Sequence, residues 1–264
     1  MLPTFLLIGS MRAGSTSLMR YLGAHPDVFV AREKEVHFFT RHYDRGLAWY
    51  EQRFADAGGA HHIGEGTPHY LYSEDARARI RATLPDAKLL VTLRDPVERA
   101  YSHYWHSRAR GKVDVDFATA VAAHASGEQS TVFVDKSRYL DPLRDLEPER
   151  AAGRLHVLLF EDLRDAPDKT FDKVCEFLGI DAGNAPAIVG ETLNRFTEFR
   201  SLPVQRFGRR LPKKARDALG RFNSKRANYP PMDAEVRAQL HELLVPDYDA
   251  LAEWLGRDLA EWKT

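Results

Sequence analysis

Thiols are nearly missing from this chain: Cys175 is the single cysteine in 264 residues. No intramolecular disulfide can form, which excludes a disulfide-stapled scaffold and fits a reducing compartment. Cys175 lies in an apolar, helix-like pattern and is expected in the core. An excess of one charge is missing too. Lysine plus arginine and aspartate plus glutamate both number 38, for a formal net charge of +0. That balance argues against a general nucleic-acid binder, which relies on surplus cation. No apolar run approaches the length of a membrane span, and no basic-then-apolar leader precedes the first strand-like segment. No set of His, Cys, Asp and Glu shows standard metal-ligand spacing. The expectation is a cytoplasmic protein with no metal, no membrane span and no nucleic-acid partner. With 44% hydrophobic residues it has the apolar material for a single domain over 1–264 with a sizeable core.

What the chain does have is concentrated at 5–22, FLLIGSMRAGSTSLMRYL. Phe5, Leu6, Leu7 and Ile8 form a short apolar run suited to a buried parallel strand. Residues 9–14 are a small-residue loop with one cation, Arg12. Ser15 and Thr16 then open a helix whose apolar members are Leu18, Met19 and Leu22. Strand, glycine loop and helix make a phosphate cradle. The loop N–H groups turn inward, and the helix N-terminus adds unpaired donors and the positive end of its dipole. The spacing nearly matches the nucleotide-hydrolase loop GxxxxGK[ST]. One position departs: Ser15 follows Gly14 where that motif has lysine, and the cation comes earlier, at Arg12. The loop suits a phosphate, whereas ATP or GTP hydrolysis is disfavoured. A plain strand–turn–helix without ligand fits the same stretch.

Further along, 28–30 suits a brief strand, 46–54 a helix, 62–72 a short strand leading into a loop, and 73–84 a polar-faced helix. KLLVTL at 88–93 is the clearest central strand. Asp95-Pro96-Val97-Glu98 is a strong helix start, with Asp95 as N-cap, Pro96 in the first position and Glu98 closing a capping box. That helix runs to about 110. Helical patterns follow at 117–125 and 139–150, a third buried strand at 155–160, and a largely helical stretch at 161–178 that stops at Gly179. Residues 206–226 carry nine Lys or Arg against one acid, Asp217, and lead into a loop at 222–231. Asp233 caps a closing helix that restarts after Pro246. Buried strands alternating with helices predict an α/β fold, a P-loop-like three-layer arrangement with a central parallel sheet flanked by helices. Ligands then sit beyond the carboxyl ends of the strands, where the loops after Gly9, Arg94 and Glu161 are placed to converge.

Several constellations suit chemistry, and each has a plainer counterpart. Arg94 leaves a strand and Ser102 sits two turns into the next helix, a guanidinium and a hydroxyl suited to a second phosphate. Arg94 paired with Asp95 or Glu98, beside a surface Ser102, fits equally. Glu35 lies beside Lys34 and just before Val36-His37-Phe38-Phe39. A partly desolvated carboxylate with a raised pKa suits a general base, and the same glutamate fits a surface charge run. His37 reads as a satisfied structural histidine. Lys225, Arg226, Ala227, Asn228 and Tyr229 offer two cations, small residues and an aromatic, suited to closing over an anionic nucleotide or to a solvated proline turn. The wider basic tract fits an exposed face or a surface that meets an acidic substrate. Phe38, Phe39, Trp49, Tyr70, Tyr72 and Trp105 suit either an acceptor pocket or the core.

Gly9-Ser10-Met11-Arg12-Ala13-Gly14-Ser15-Thr16, Lys34-Glu35-Val36-His37-Phe38-Phe39, Leu93-Arg94-Asp95-Pro96 with Arg99, Tyr101 and Ser102, and the late Lys225-Arg226 with Tyr229-Pro230 occur in this order. The set, spread over 5–254, resembles the sulfotransferases that use 3′-phosphoadenylyl sulfate (PAPS), closest to their heparan-sulfate and bacterial carbohydrate-type branch. The resemblance implies in-line transfer of a sulfuryl group from PAPS to a hydroxyl of a small-molecule, glycan or lipid acceptor, with adenosine 3′,5′-bisphosphate (PAP) as product and no metal. It implies that Arg12, Ala13, Gly14, Ser15 and Thr16 bind the 5′-phosphosulfate, and that Arg94 and Ser102 bind the 3′-phosphate. It makes Lys225, Arg226, Ala227, Asn228 and Tyr229 the late nucleotide loop, with Arg200 as a further contact. Glu35 stands at the catalytic base, Arg12 at the leaving phosphate, and Glu35, His37, Phe38, Glu65 and Thr67 on the acceptor side. Two positions depart from the heparan-sulfate members: Arg12 replaces a lysine, and Glu65-Gly66-Thr67-Pro68 replaces Glu-Lys-Thr-Pro, losing a cation for an anionic glycan. The competing expectations are a P-loop kinase using ATP, and a non-catalytic nucleotide- or polyanion-binding module.

Overall fold

A computed structural model describes residues 1–191 and 229–263, the backbone of 197–199 and 224–226, and the single positions 204, 212, 215 and 219. In chain order its main elements are β1 (Phe5–Gly9), α1 (Ser15–Ala24), β2 (Val28–Val30), β3 (His62–Gly66), α2 (Glu74–Thr83), β4 (Lys88–Leu93), α3 (Pro96–Ala109), α4 (Phe117–Ala125), β5 (Leu155–Leu159), α5 (Phe160–Asp165), α6 (Pro167–Leu178), β6 (Thr197–Phe199), β7 (Ser224–Arg226), α7 (Ala234–Leu244) and α8 (Tyr248–Leu255). Where the sequence reads as one domain, the chain groups into two compact units. One comprises Met1–Arg94 and Tyr139–Asn194, the other Asp95–Arg138 and Arg195–Thr264. Among the described residues no helix is long and apolar enough to cross a membrane.

The first unit is built on the expected parallel sheet, ordered β2-β3-β1-β4-β5. Every residue of β1 is buried, as an unbroken apolar run in a sheet covered on both faces requires. From β1 the chain goes first to β2 and β3 on one side, then to β4 on the other. The strand order therefore reverses at the carboxyl end of β1, where an open α/β sheet leaves its crevice. Leu18, Tyr21 and Leu22 of α1 share one helical stripe. They pack with Phe5 and Leu7 of β1, Leu90 of β4, and Phe171, Val174 and Cys175 of α6 in a single buried cluster. Burial among these groups pushes the Cys175 thiol up to about 11, so the lone thiol is an inert core residue.

Several boundaries differ from the sequence expectation, each for a local reason. The helical stretch at 161–178 is broken after Asp165, because Pro167 begins a new helix better than it continues an old one. The stretch at 139–150 is two single-turn helices, Leu140–Arg144 and Glu147–Ala151, the second opened by Pro148. The helix expected at 46–54 is α-helical only over Leu47–Glu51 and tightens to a 3-10 helix over Gln52–Ala57. Val132–Asp135 forms a short helix with no sequence expectation behind it.

His156 on β5 gives the first unit a testable pH response. Burial, with Lys173 adding to it, holds this imidazole below its ordinary value. Below about pH 6.5 the unfolded chain protonates it while the folded chain resists, so the unfolded state binds more protons and stability falls with pH. The urea midpoint should drop between pH 7.5 and pH 5.5, and His156→Gln should drop less. Equal drops in the two proteins would contradict this.

In the second unit, Asp95 caps α3 as expected: its Oδ1 accepts from the N–H groups of Val97 at 2.8 Å and Glu98 at 3.3 Å. The Glu98 carboxylate accepts from Arg237 of α7 at 2.5 Å. Arg99 is fully buried. Its Nε donates to Ser137 Oγ at 2.9 Å, and its guanidinium also donates to the Phe133 carbonyl. Ser137 Oγ in turn donates to the Pro96 carbonyl at 2.8 Å, tying the Val132–Asp135 turn to the start of α3.

Candidate active site

The loop after β1 has the backbone of an anion cradle. Ser10 N–H donates to the Thr92 carbonyl at 2.7 Å, and Thr92 Oγ1 donates to the Gly9 carbonyl at 3.1 Å, so the loop leaves the sheet tied to β4. Arg12 has φ 70° and Gly14 φ 85°. Gly14 is needed twice over. The left-handed conformation favours glycine, and a Cβ there would sit 3.0 Å from Phe160 Cδ2 and 3.2 Å from Leu163 Cδ2. The first intrahelical bonds run from Ser17 and Leu18 N–H to the Gly14 carbonyl, at 2.9 and 3.1 Å. Ser15 and Thr16 therefore head α1, whose first N–H groups have no partner within the helix.

Phe160, the first residue after β5, was not singled out by sequence reasoning. Its ring lies against Gly14, and the Arg94 guanidinium carbon sits 5.0 Å from its centroid. One aromatic side chain thus meets both the loop after β1 and the residue after β4, so these three strand ends do converge. Tyr139 holds the Arg94 backbone by donating to its carbonyl at 2.9 Å.

A cleft of about 400 Å³ opens beside the loop, lined in part by Ser15, Thr16, Met19, Lys34, Glu35 and Gly66. A Cβ at Gly66 would come within 2.7 Å of Met19 Cγ. The position where the resemblance expects lysine is therefore closed to a side chain unless Met19 moves. Glu35 is a clustered residue rather than a member of a surface charge run. Its Oε2 lies 3.1 Å from His37 Nε2 and 3.7 Å from His69 Nδ1. The hydrogen bond from His37 holds the Glu35 carboxyl below the ordinary glutamate value; partial burial opposes this, and the charges of His69, His37 and Lys34 reinforce it. The raised pKa expected from desolvation is thus corrected to a lowered one, because the imidazole outweighs the burial. His37 is structural and chemical at once. Its Nδ1 is 3.2 Å from Thr40 Oγ1, which donates to the His37 carbonyl at 3.4 Å. His69 follows the Thr67-Pro68 turn and was missed, because nothing in its local sequence points toward residue 35.

Three expected acceptor residues lie deeper. Glu65 and Thr67 are fully buried. Glu65 Oε1 accepts from Tyr50 at 3.1 Å and from Tyr70 at 2.7 Å, and Oε2 accepts from Thr67 Oγ1 at 2.6 Å. Thr67 Oγ1 also accepts the His37 backbone N–H at 3.3 Å. The pair is a floor beneath His37, which sits at φ 56°. Phe38 is 1% exposed and its ring is stacked on Tyr50 at 4.2 Å, in an aromatic core shared with Phe39. A direct acceptor contact for Glu65, Thr67 or Phe38 does not fit this burial.

In the second unit Ser102 is buried on α3. Its neighbours Tyr101 and Trp105 hold the end of the late loop. Tyr229 meets Tyr101 edge-on at 5.3 Å and lies parallel to Trp105 at 6.4 Å, and Tyr101 donates to the Pro230 carbonyl at 2.9 Å. Arg200, Ala227 and Asn228 lie outside the described residues, as do the side chains of Lys225 and Arg226.

A family model described as a sulfotransferase domain matches residues 2–245. The human bifunctional heparan sulfate N-deacetylase/N-sulfotransferase 1 is 30% identical over 97% of this chain, which corresponds to 31% of that protein. The chain spans less than two thirds of the length of the curated relatives it matches, from 23% to 64%. Among solved structures, a sulfotransferase from Alicyclobacillus acidocaldarius aligns over 100% of both chains, with TM-score 0.77 and 22% identity. A retinol dehydratase, solved with androsterone and the inactive cofactor PAP, aligns over 94% of this chain and 81% of its own, with TM-score 0.51 and 14% identity.

Proposed function

The chain belongs to the sulfotransferase domain family, and from that premise we propose that it moves a sulfuryl group from PAPS to a hydroxyl of a small-molecule, glycan or lipid acceptor. One observation carries the reading: the residues heading α1, Ser15 and Thr16, line the same cleft as Glu35. An anion-binding helix terminus and a carboxylate then face one space, as transfer between a phosphosulfate and a hydroxyl requires. The PAP held by the retinol dehydratase supports the choice of nucleotide.

Glu35 takes the proton of the acceptor hydroxyl as the new O–S bond forms. The S–O bond to the 5′-phosphate breaks on the opposite side, and PAP leaves. The negative charge gathering on the bridging oxygen is met by Arg12 and by the N–H groups of 13–16. Arg12 stabilises that charge without giving up a proton, because a guanidinium stays protonated. The resemblance gives Arg94 and Ser102 to the 3′-phosphate. By the resemblance, Lys225, Arg226, Ala227, Asn228 and Tyr229 are the late nucleotide loop, with Arg200 as a further contact. His37 orients Glu35 from the acceptor side.

The test has two arms. Purified protein is incubated with sulfur-labelled PAPS and a panel of hydroxylated glycans, lipids and small molecules, and labelled product is expected with at least one. Thermal or urea unfolding is then compared with PAP and with Mg-ATP. PAP at a hundred times its Kd should stabilise the fold by about 2.7 kcal/mol, and Mg-ATP at the same concentration by much less. Protection by Mg-ATP equal to that by PAP, with no labelled product, would favour a kinase. Strongly salt-dependent polyanion binding without transfer would favour a binding module.

A further inference from the structure

We infer that Glu35, His37 and His69 form a binding site for a divalent transition-metal ion of the zinc class, and that an ion seated there blocks transfer by occupying the Glu35 oxygen. The blocking effect rests on the functional reading above; the site itself does not. His37 Nε2 and His69 Nδ1 lie 3.1 and 3.7 Å from Glu35 Oε2, and the three ligand atoms all fall within 4.8 Å of one another. Ligands about 2.0–2.1 Å from a tetrahedral ion lie roughly 3.4 Å apart. The two separations from Oε2 bracket that edge length, and the third, between the two ring nitrogens, is no more than 4.8 Å, so side-chain rotation closes the set. The donor set of two imidazoles and one carboxylate selects zinc, cobalt, nickel or copper over magnesium or calcium, which take oxygen ligands.

The surroundings supply what a bound ion needs beyond its ligands. A ligating histidine ordinarily gives its other ring N–H to a fixed acceptor. Thr40 Oγ1 spends its own hydrogen on the His37 carbonyl, so it faces His37 Nδ1 as an acceptor, at 3.2 Å. That arrangement leaves Nε2, 3.1 Å from Glu35 Oε2, as the ring nitrogen available to an ion. His37 is held at φ 56° over the buried Glu65–Thr67 pair, so the ligand is pre-positioned. The site is also reachable: the Glu35 and His69 side chains retain 31% and 26% exposure, and Glu35 lines the cleft, where water or an acceptor oxygen completes the fourth position. The linear sequence hides the set because residues 37 and 69 meet only through the loop after β3.

Zinc binding is measured by competition with a chromophoric chelator, on the full chain and on His69→Gln, Thr40→Val and His61→Gln. One equivalent is expected to bind. His69→Gln should weaken binding at least tenfold and Thr40→Val about 10–100-fold, as losses of ligand and of outer support do. His61→Gln, outside the set, should bind zinc as the parent does. Cobalt should give the intense visible bands of a tetrahedral site in the parent and lose them in His69→Gln. In the transfer assay, zinc should inhibit the parent and a chelator should restore it, with His69→Gln needing correspondingly more zinc. No binding, or binding equal in parent and His69→Gln, overturns the site. Zinc bound through these residues in a chain that transfers unhindered overturns the block. A chain that binds zinc here but transfers nothing in its absence refutes the functional reading and leaves the site standing.

Discussion

Glu35→Gln is expected to lower kcat by about 10²–10⁴-fold, the span associated with loss of a positioned general base. Affinity for PAP should stay within a few-fold. The substitution keeps the shape of the side chain and an oxygen for His37, and it leaves the loop at 9–16 untouched. What it removes is the ability to take a proton. The His37 hydrogen bond holds Glu35 below the ordinary glutamate value, so at neutral pH the native carboxylate is ready as a base without prior deprotonation. The same bond makes it a weaker base than a raised carboxyl would be. In-line positioning and charge stabilisation at Arg12 must then carry a larger share of the barrier reduction. Steady-state kinetics with labelled PAPS, paired with calorimetric PAP binding, separates the possibilities. Unchanged kcat removes Glu35 from the base role. An equal fall in kcat and in PAP affinity would instead point to a damaged loop.

What could be read from the chain divides by the range of the interaction involved. The cradle at 9–16, the strands at 5–9 and 88–93, and the Asp95 cap depend on neighbours within a few residues, and periodicity with cap chemistry exposes those. The sheet followed, because alternating buried strands and helices leave few topologies. In sequence Phe160 reads only as the end of a strand, since its contacts with Gly14 and Arg94 span 66 residues or more of chain. His69 escaped for the same reason. The resemblance puts Glu65 and Phe38 on the acceptor side, yet the aromatic packing of Tyr50, Phe39 and Tyr70 around them puts both inside. A carboxylate next to a loop looks catalytic in sequence; only its depth and its three hydroxyl partners reveal a scaffold.

Glu65→Ala is accordingly expected to cost roughly 3–9 kcal/mol of folding stability, because three hydroxyls lose their acceptor at once and each stranded buried donor costs about 1–3 kcal/mol. The carboxylate sits in a conflict that its partners resolve. Full burial pushes its pKa up, while the hydrogen bonds from Thr67, Tyr70 and Tyr50 pull it back. Those bonds are stronger to an ionised acceptor than to a neutral one. Removing the acceptor also opens a cavity beside the Phe38–Tyr50 stack, which adds to the loss. Glu65→Gln should cost less, about 1–3 kcal/mol. One oxygen remains for Tyr50 and Tyr70, but an amide NH₂ now faces the Thr67 hydroxyl. That residual mismatch has a functional consequence: Thr67 Oγ1 accepts the His37 backbone N–H, and His37 holds Glu35. Glu65→Gln should therefore lower kcat while the nucleotide loop, tied to β4 rather than to this floor, keeps its affinity for PAP. Urea unfolding at pH 7 tests the first effect and kinetics the second. A loss below about 1 kcal/mol in Glu65→Ala would mean the tyrosine and threonine hydroxyls had found other acceptors, and the support beneath His37 would have to be sought elsewhere.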